Sequence, residues 1–185
     1  MTRPPQSELK KSLDFWSHLL NEKTPRALIV IGAARIEEEI KMLAEQVAPG
    51  SEDIRKTHGS RITLLTNAGV LSEDTTFCLR KLGVIRNHFA HTSASVSLAD
   101  TAISGDVAEL FDRLEPHTSL ADFAPKVFEA YLAKAPATLH PSTWVDEGWQ
   151  KMQAAMLLLL NHLIVVRHNL PPQPKPIEIW DYDFK

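Results

Sequence analysis

Residues 154–160 read AAMLLLL, a run in which no polar side chain occupies any face of a helix. The run lies at the centre of a helix that we predict over about 144–169, with Thr143 as its N-cap. A helix that is apolar on all sides is typical of the buried centre of a bundle. Because crossing a bilayer takes roughly 20 apolar residues, this run predicts no membrane-spanning segment.

The helices predicted around this segment are amphipathic. One is predicted over about 25–47, because Thr24-Pro25 is a capping residue followed by proline at the first helical position. Its apolar stripe consists of Ile29, Ala33, Ile36, Ile40, Leu43 and Val47. Another is predicted from the cap Ser72 to about Ala90, and shorter ones over about 7–20, 60–70, 105–115 and 119–134. We therefore predict an all-α fold, a compact helical bundle that forms one domain over residues 1–170, with an extended proline-rich tail over 171–185.

The composition is that of an ordinary globular protein, with 44% hydrophobic and 23% charged residues in a chain of 185. Cys78 is the single cysteine, which excludes an internal disulfide and a thiolate zinc site. The 8 histidines do not show metal-ligand spacing and no nucleotide-binding motif is present, so we expect no cofactor and no metal. The first residues contain no apolar signal segment, and we expect a cytoplasmic protein.

The net charge of −3 is unevenly distributed. Residues 1–100 carry 13 basic and 12 acidic side chains, a net of +1, whereas residues 101–185 carry 7 basic and 11 acidic side chains, a net of −4. This balance argues against a broad nucleic-acid surface, because phosphate binding depends on lysine and arginine. The sequence also lacks a helix-turn-helix with a basic recognition helix, so we expect no direct DNA binding.

The most informative stretch for function is residues 59–92, GSRITLLTNAGVLSEDTTFCLRKLGVIRNHFAHT. At about 100° per residue, the core side of its second helix holds Leu82, Ile85 and Phe89. The opposite side holds Arg80, Asn87 and His91, with Val84 near them and Arg86 flanking the apolar stripe. An arginine, an amide and an imidazole at one helix end can hold a phosphate and move a proton. A solvated outer face carries the same residue types, and both interpretations stay open here.

Three further groups receive structural interpretations. The consecutive glutamates Glu37–Glu39 are interpreted as a solvated flank of the helix over 25–47, with one carboxylate able to pair with Arg86 or Arg61. Cys78 is interpreted as a packing residue. His162, in the predicted central helix, is interpreted as a core residue with a satisfied hydrogen bond.

Over residues 26–95 the chain resembles the mannitol operon repressor (MtlR-type) family. The motifs that carry the resemblance are Ser60-Arg61-Ile62, Leu71-Ser72-Glu73-Asp74, Leu79-Arg80-Lys81 and the run from Ile85 to His91, together with the acidic helix segment from Ile36 to Ile40. The resemblance implies a regulatory protein. With an acidic pI and no DNA-reading helix, we expect such a protein to act by binding another protein.

The segment Arg86-Asn87-His88-Phe89-Ala90-His91 is also similar to the signature of the HEPN superfamily of helical domains. Active members of that superfamily are metal-independent RNases that dimerise so that two such motifs meet in a cleft. The resemblance implies that His91 assists attack of a ribose 2′-OH on the adjacent phosphate while Arg86 holds the phosphate charge. Asn87 is then the polar residue that follows the arginine.

Two functions therefore compete. The first is a regulator that binds a protein partner, or a second copy of itself, through the face of Arg80, Val84, Asn87 and His91; inhibition of a nuclease, as an immunity partner, would be one form of it. The alternative is a metal-independent endoribonuclease with Arg86, Asn87 and His91 as catalytic residues and RNA as substrate. We favour the first because an RNA substrate would need more positive surface.

Overall fold

The computed structural model describes residues 14–15, 25–50, 56–92, 97–117 and 147–171. Within these ranges the chain forms five α-helices and no strand: α1 (Pro25–Val47), α2 (His58–Asn67), α3 (Glu73–His91), α4 (Ser104–Leu114) and α5 (Glu147–Asn169). The predicted all-α bundle is confirmed. The helix predicted over 119–134, the cap Thr143, the tail beyond residue 171 and all but residues 14–15 of the helix predicted over 7–20 lie outside the described residues.

Local capping sets where the helices begin and end. Ser72 accepts a hydrogen bond from the backbone N–H of Thr75 at 3.2 Å, so α3 begins where the sequence predicts. Helix α2 begins at His58, two residues before the predicted start, because Thr57 and Ser60 form a reciprocal capping box. It ends at Asn67, and Gly69 then adopts a left-handed φ of 69°, which turns the chain towards α3.

Helix α5 supplies the centre of the core, as its sequence predicts. Its buried residues include Met152, Ala155, Met156, Leu160 and Leu163. Helix α1 packs along α5 and also contacts α2 and α3, while α4 packs mainly on α3. Helix α3 reaches α5 near both of its ends, through an edge-to-face contact of Phe89 with Trp149 and a 3.3 Å bond between Thr75 and His162. No helix in the part of the chain that the structure describes is long and apolar enough to span a bilayer.

The interpretation of Glu37–Glu39 as a solvated flank is wrong for Glu39. Its side chain is 1% exposed, and its carboxylate accepts hydrogen bonds from Arg35 at 2.6 Å and from Arg167 of α5 at 2.8 Å. Burial of a carboxylate is tolerated only with such partners, because an unpaired buried charge is costly. Glu38, one residue earlier, is 70% exposed and fits the prediction.

Cys78 is buried in the core, as interpreted from the sequence. Burial raises the pKa of its thiol to about 11, so the thiolate that would react or bind a metal is disfavoured. Cys78 therefore contributes packing to α3.

Candidate functional site

The outer face of α3 carries Arg80, Val84, Asn87 and His91, and all four side chains are exposed. We call this set the α3 stripe. Its members follow at intervals of four, three and four residues, so they form one row about 16 Å long. Leu82, Ile85 and Phe89 are buried on the other side of the helix. The division of faces predicted from helical spacing is therefore confirmed.

The polar groups of the α3 stripe have few partners. Arg80 donates to the hydroxyl of Thr63 at 3.3 Å. Asn87 and His91 make no hydrogen bond to any residue that the structure describes, and the direct bond that their i, i+4 spacing allows is not formed. Val84, between Arg80 and Asn87, is 49% exposed and is the most exposed of the large apolar side chains described. The row thus combines an apolar centre with polar groups open to an external partner.

Arg86 occupies a different environment from the α3 stripe. Its guanidinium lies 3.5 Å from the carboxylate of Glu37, and Arg61 of α2 lies 3.3 Å from the same carboxylate. The pairing of a glutamate with Arg86 or Arg61 is confirmed, and Glu37 pairs with both. These contacts join α1, α2 and α3, so Arg86 already has a structural partner.

His58 of α2 lies beside this ionic cluster. Its Nε2 is 3.4 Å from the carbonyl oxygen of Leu79, and its Nδ1 is buried without a hydrogen-bond partner among the described residues. The ring packs so closely on α3 that a Cβ at Gly83 would lie 3.3 Å from it. Burial has the largest effect on the pKa of His58 and lowers it; the Leu79 carbonyl and Glu37 raise this pKa by less, and Arg86 and Arg61 lower it by less still. The neutral form of His58 is therefore favoured.

The proposed catalytic residues do not converge within one chain. Arg86 and His91 are five positions apart on α3, which separates their directions by about 140° around the helix axis. Arg86 faces Glu37, whereas His91 and Asn87 face outwards. The structure thus brings Asn87 and His91 to one surface and places Arg86 on another.

The structure contains a groove near the C-terminal end of α3 that the sequence analysis does not predict. It lies between the first turns of α1 and the last turn of α3, has a volume of about 320 Å³ and is lined by Arg26, Ala27, Val30, Ile31 and Ala90. Arg26 fixes one end by donating to the carbonyl oxygen of Ala90 at 2.8 Å. Ile31 remains 40% exposed. Ile31 lies outside the apolar stripe of α1, and this is the one feature of the sequence that indicates the groove.

Comparison with protein-family models and with curated proteins gives no match for this chain. Among solved structures, the chain is similar to a chain in the X-ray structure of the MtlR–HPr complex from Escherichia coli, with a TM-score of 0.50 and 17% sequence identity. The similarity covers 85% of this chain and 98% of that chain. At this identity the similarity shows a shared fold, a distant MtlR-like one.

Proposed function

We propose that this chain is a regulatory protein of the mannitol-repressor type that acts by binding another protein through the α3 stripe. The observation that carries the proposal is the fold: a solved structure with a similar fold is that of the MtlR–HPr complex, and the match extends over 98% of the matched chain. The motifs that resemble MtlR-type proteins lie in α1 to α3, the helices that surround the stripe and the neighbouring groove.

The chemistry of the stripe supports a protein partner. Protein interfaces place apolar anchors at the centre and polar groups around them, and arginine is enriched in both their centres and their strongest contacts. Val84 supplies exposed apolar surface at the centre of the stripe, while Arg80, Asn87 and His91 supply polar groups with few internal partners. A partner that offers an apolar side chain to Val84 and acceptors to its neighbours would complement this face. A second copy of the chain is one such partner.

The endoribonuclease alternative has less support. The arginine that would hold the phosphate, Arg86, contacts Glu37 at 3.5 Å and points away from His91. Freeing it would leave Glu37 with Arg61 alone, and binding RNA would still need more cationic surface than a net charge of −3 provides. The finer hypothesis that the partner is a nuclease rests on the excess of acidic residues over 101–185 and stays a prediction.

Site-specific crosslinking tests the proposal. A photoreactive amino acid is placed at Val84 in the full chain, and a matched variant carries it at Met42, which is 40% exposed on the distal part of α1. Irradiation in cells of the source organism, followed by mass spectrometry, identifies the adducts. We expect one dominant protein adduct at position 84, which Asn87→Asp reduces, and none of that protein at position 42. Equal adducts at both positions, or none at position 84, would overturn the proposal.

An RNase assay separates the alternative. Purified wild type and His91→Ala are incubated with total RNA in the presence of EDTA, which removes contaminating metal-dependent nucleases. We expect no cleavage by either protein. Cleavage that persists in EDTA and is lost in His91→Ala would establish the nuclease function instead.

A further inference from the structure

The groove between the first turns of α1 and the last turn of α3 has an apolar floor and a basic edge. The floor is formed by Ala27, Val30, Ile31 and Ala90. Arg26 lies at the edge and is exposed, and its bond to the carbonyl oxygen of Ala90 uses one nitrogen of the guanidinium, so other N–H groups remain available. The groove therefore fits a segment in which an apolar side chain adjoins a carboxylate.

The two helices that form the groove present only basic charges near it. Residues 25–36 of α1 include two arginines and no acidic residue, and residues 75–91 of α3 include two arginines and a lysine and no acidic residue. Arg35 and Arg86 contact glutamates of α1, whereas Arg26 contacts no carboxylate within the described ranges. An acidic segment therefore meets attraction, and no like charge, from these parts of α1 and α3.

The tail of the chain has the complementary chemistry. Residues 177–184 read IEIWDYDF, with three acidic and no basic side chains. An aromatic ring precedes a carboxylate twice, at Trp180-Asp181 and at Tyr182-Asp183. Aromatic side chains bury a large apolar area at a small cost in side-chain entropy, so one ring against the groove floor and its neighbouring carboxylate on Arg26 would satisfy both features of the groove.

The tail is long enough to reach the groove from the end of α5. Gln46, near the end of α1, donates to the carbonyl oxygen of Leu170 at 3.3 Å, so the tail starts at the end of α1 that is distant from the groove. Ile31 lies roughly 22 Å back along α1, at about 1.5 Å per residue. The proline-rich residues 171–176 span roughly 19 Å as polyproline, and each extended residue after them adds about 3.3 Å. Trp180 can therefore arrive at the groove.

We propose that the groove binds the acidic, aromatic tail of the same chain. The ring of Trp180 packs on Val30 and Ile31, and the carboxylate of Asp181 accepts hydrogen bonds from Arg26. A tether of this length holds the tail at a local concentration on the order of 1 mM, so a contact that is weak between separate molecules is populated within one chain. No residue of the α3 stripe lines the groove, and the proposal does not depend on the function proposed above.

Disulfide formation in the full chain tests the proposal. One variant carries Ile31→Cys and Ile179→Cys, which place one thiol in the groove and one beside Trp180. The matched control carries Met42→Cys and Ile179→Cys, because Met42 is also 40% exposed on α1 and lies nearer to the start of the tail. The native Cys78 is buried and should not exchange. We expect the groove pair to form an intramolecular disulfide at least about tenfold faster than the control pair under mild oxidation.

Trp180→Ala, added to each double variant, separates docking from random contact. It should slow the groove pair to the rate of the control pair and leave the control pair unchanged. Equal rates of the two pairs, or a groove pair that Trp180→Ala does not slow, would overturn the proposal. Disulfides that join two chains instead of closing within one would also overturn it and would assign the groove to a second copy.

A peptide provides a measurement that does not alter the groove. The full chain with Trp180→Ala is titrated with a peptide of residues 177–184, and the methyl resonances of Ile31 and Met42 are followed by NMR. We expect a saturable shift at Ile31 and none at Met42, with a dissociation constant on the order of 1 mM. A peptide with Asp181→Asn and Asp183→Asn should bind about tenfold more weakly. Shifts at both methyl groups, no saturable shift, or equal binding of the two peptides would contradict the proposal, even if Ile31→Cys does not fold.

Discussion

Glu39 offers a sharp test of the ionic contact that joins α1 to α5. Its carboxylate is 1% exposed and contacts Arg35 at 2.6 Å and Arg167 at 2.8 Å. Glu39→Gln keeps the size of the side chain and removes the buried negative charge that Arg35 and Arg167 share, while Arg35 keeps its 3.4 Å contact with the exposed Glu38. Glu38→Gln is the matched control, since Glu38 is the adjacent residue and is 70% exposed.

The expected loss of stability in Glu39→Gln follows from the burial of the Glu39 carboxylate. Removal of one member of a fully buried ion pair costs about 3–5 kcal/mol. The side chains of Arg35 and Arg167 are 22% and 23% exposed, so water recovers part of this, and we expect a loss of about 2–4 kcal/mol in the free energy of unfolding. For a chain of this size that lowers Tm by roughly 5–15 °C.

Thermal and urea unfolding followed by circular dichroism measure the effect. Glu38→Gln should melt within about 0.5 kcal/mol of wild type, as an exposed substitution does. If Glu39→Gln and Glu38→Gln melt together, the carboxylate of Glu39 is not buried between two arginines, and the packing of α1 on α5 described above is incorrect.

Three other predictions concern α3 and the residues around it. Phe89→Ala removes a fully buried ring that contacts Trp149 and should cost about 3–5 kcal/mol in urea unfolding; a loss under about 1 kcal/mol would contradict its burial. Arg86→Ala should cost about 1 kcal/mol in the same assay, because its contact with Glu37 is long and 30% exposed, and a wild-type melt would mean that the pair does not contribute. The folded-state pKa of His58 lies below its unfolded value of 6.5, so the neutral ring favours the folded state above that pH and stability falls as the pH is lowered through 6.5 towards the folded-state pKa. Unfolding free energies measured from pH 8 to pH 5 should therefore decline less in His58→Gln than in wild type, and parallel declines would refute the role of His58.

Local signals in the sequence predict most of the helices, because caps and apolar periodicity act over a few residues. Pro25 and Ser72 mark the starts of α1 and α3, and the apolar run 154–160 marks the core helix. The predicted start of α2 is two residues too late, because its capping box uses a serine at the third helical position, where glutamate or glutamine is the usual signal.

Contacts between residues far apart in the sequence explain why the interpretations of Glu39 and His162 are wrong. Glu39 has the periodicity of a helix flank, and its burial depends on Arg167, which is 128 positions away in the sequence. The interpretation of His162 as a core residue is wrong, because its side chain is exposed at the rim of a cavity whose other walls come from α3 and α4. No local pattern reports which distant residue completes such a contact.

The faces of α3 follow from helical geometry, so the positions of Phe89, Asn87 and His91 were predictable. The direction of the Arg86 side chain was not, because at the edge of the apolar stripe it can turn towards solvent or towards α1. Glu37, 49 positions earlier in the sequence, decides this. The segment from Arg86 to His91, which the sequence presents as one motif, therefore has two parts. Arg86 makes a structural contact with Glu37, whereas Asn87 and His91 lie on the exposed surface.

Titration of the partner identified by crosslinking, against wild type, Val84→Glu and Met42→Glu, tests the role of the α3 stripe most directly. Both substitutions place a carboxylate on an exposed apolar position, so both proteins should unfold within about 0.5 kcal/mol of wild type. We predict that Val84→Glu weakens partner binding at least tenfold, about 1.4 kcal/mol, by burying a charge at the interface, and that Met42→Glu binds as wild type does. Equal affinities of the three proteins would show that the partner binds elsewhere and would contradict the account.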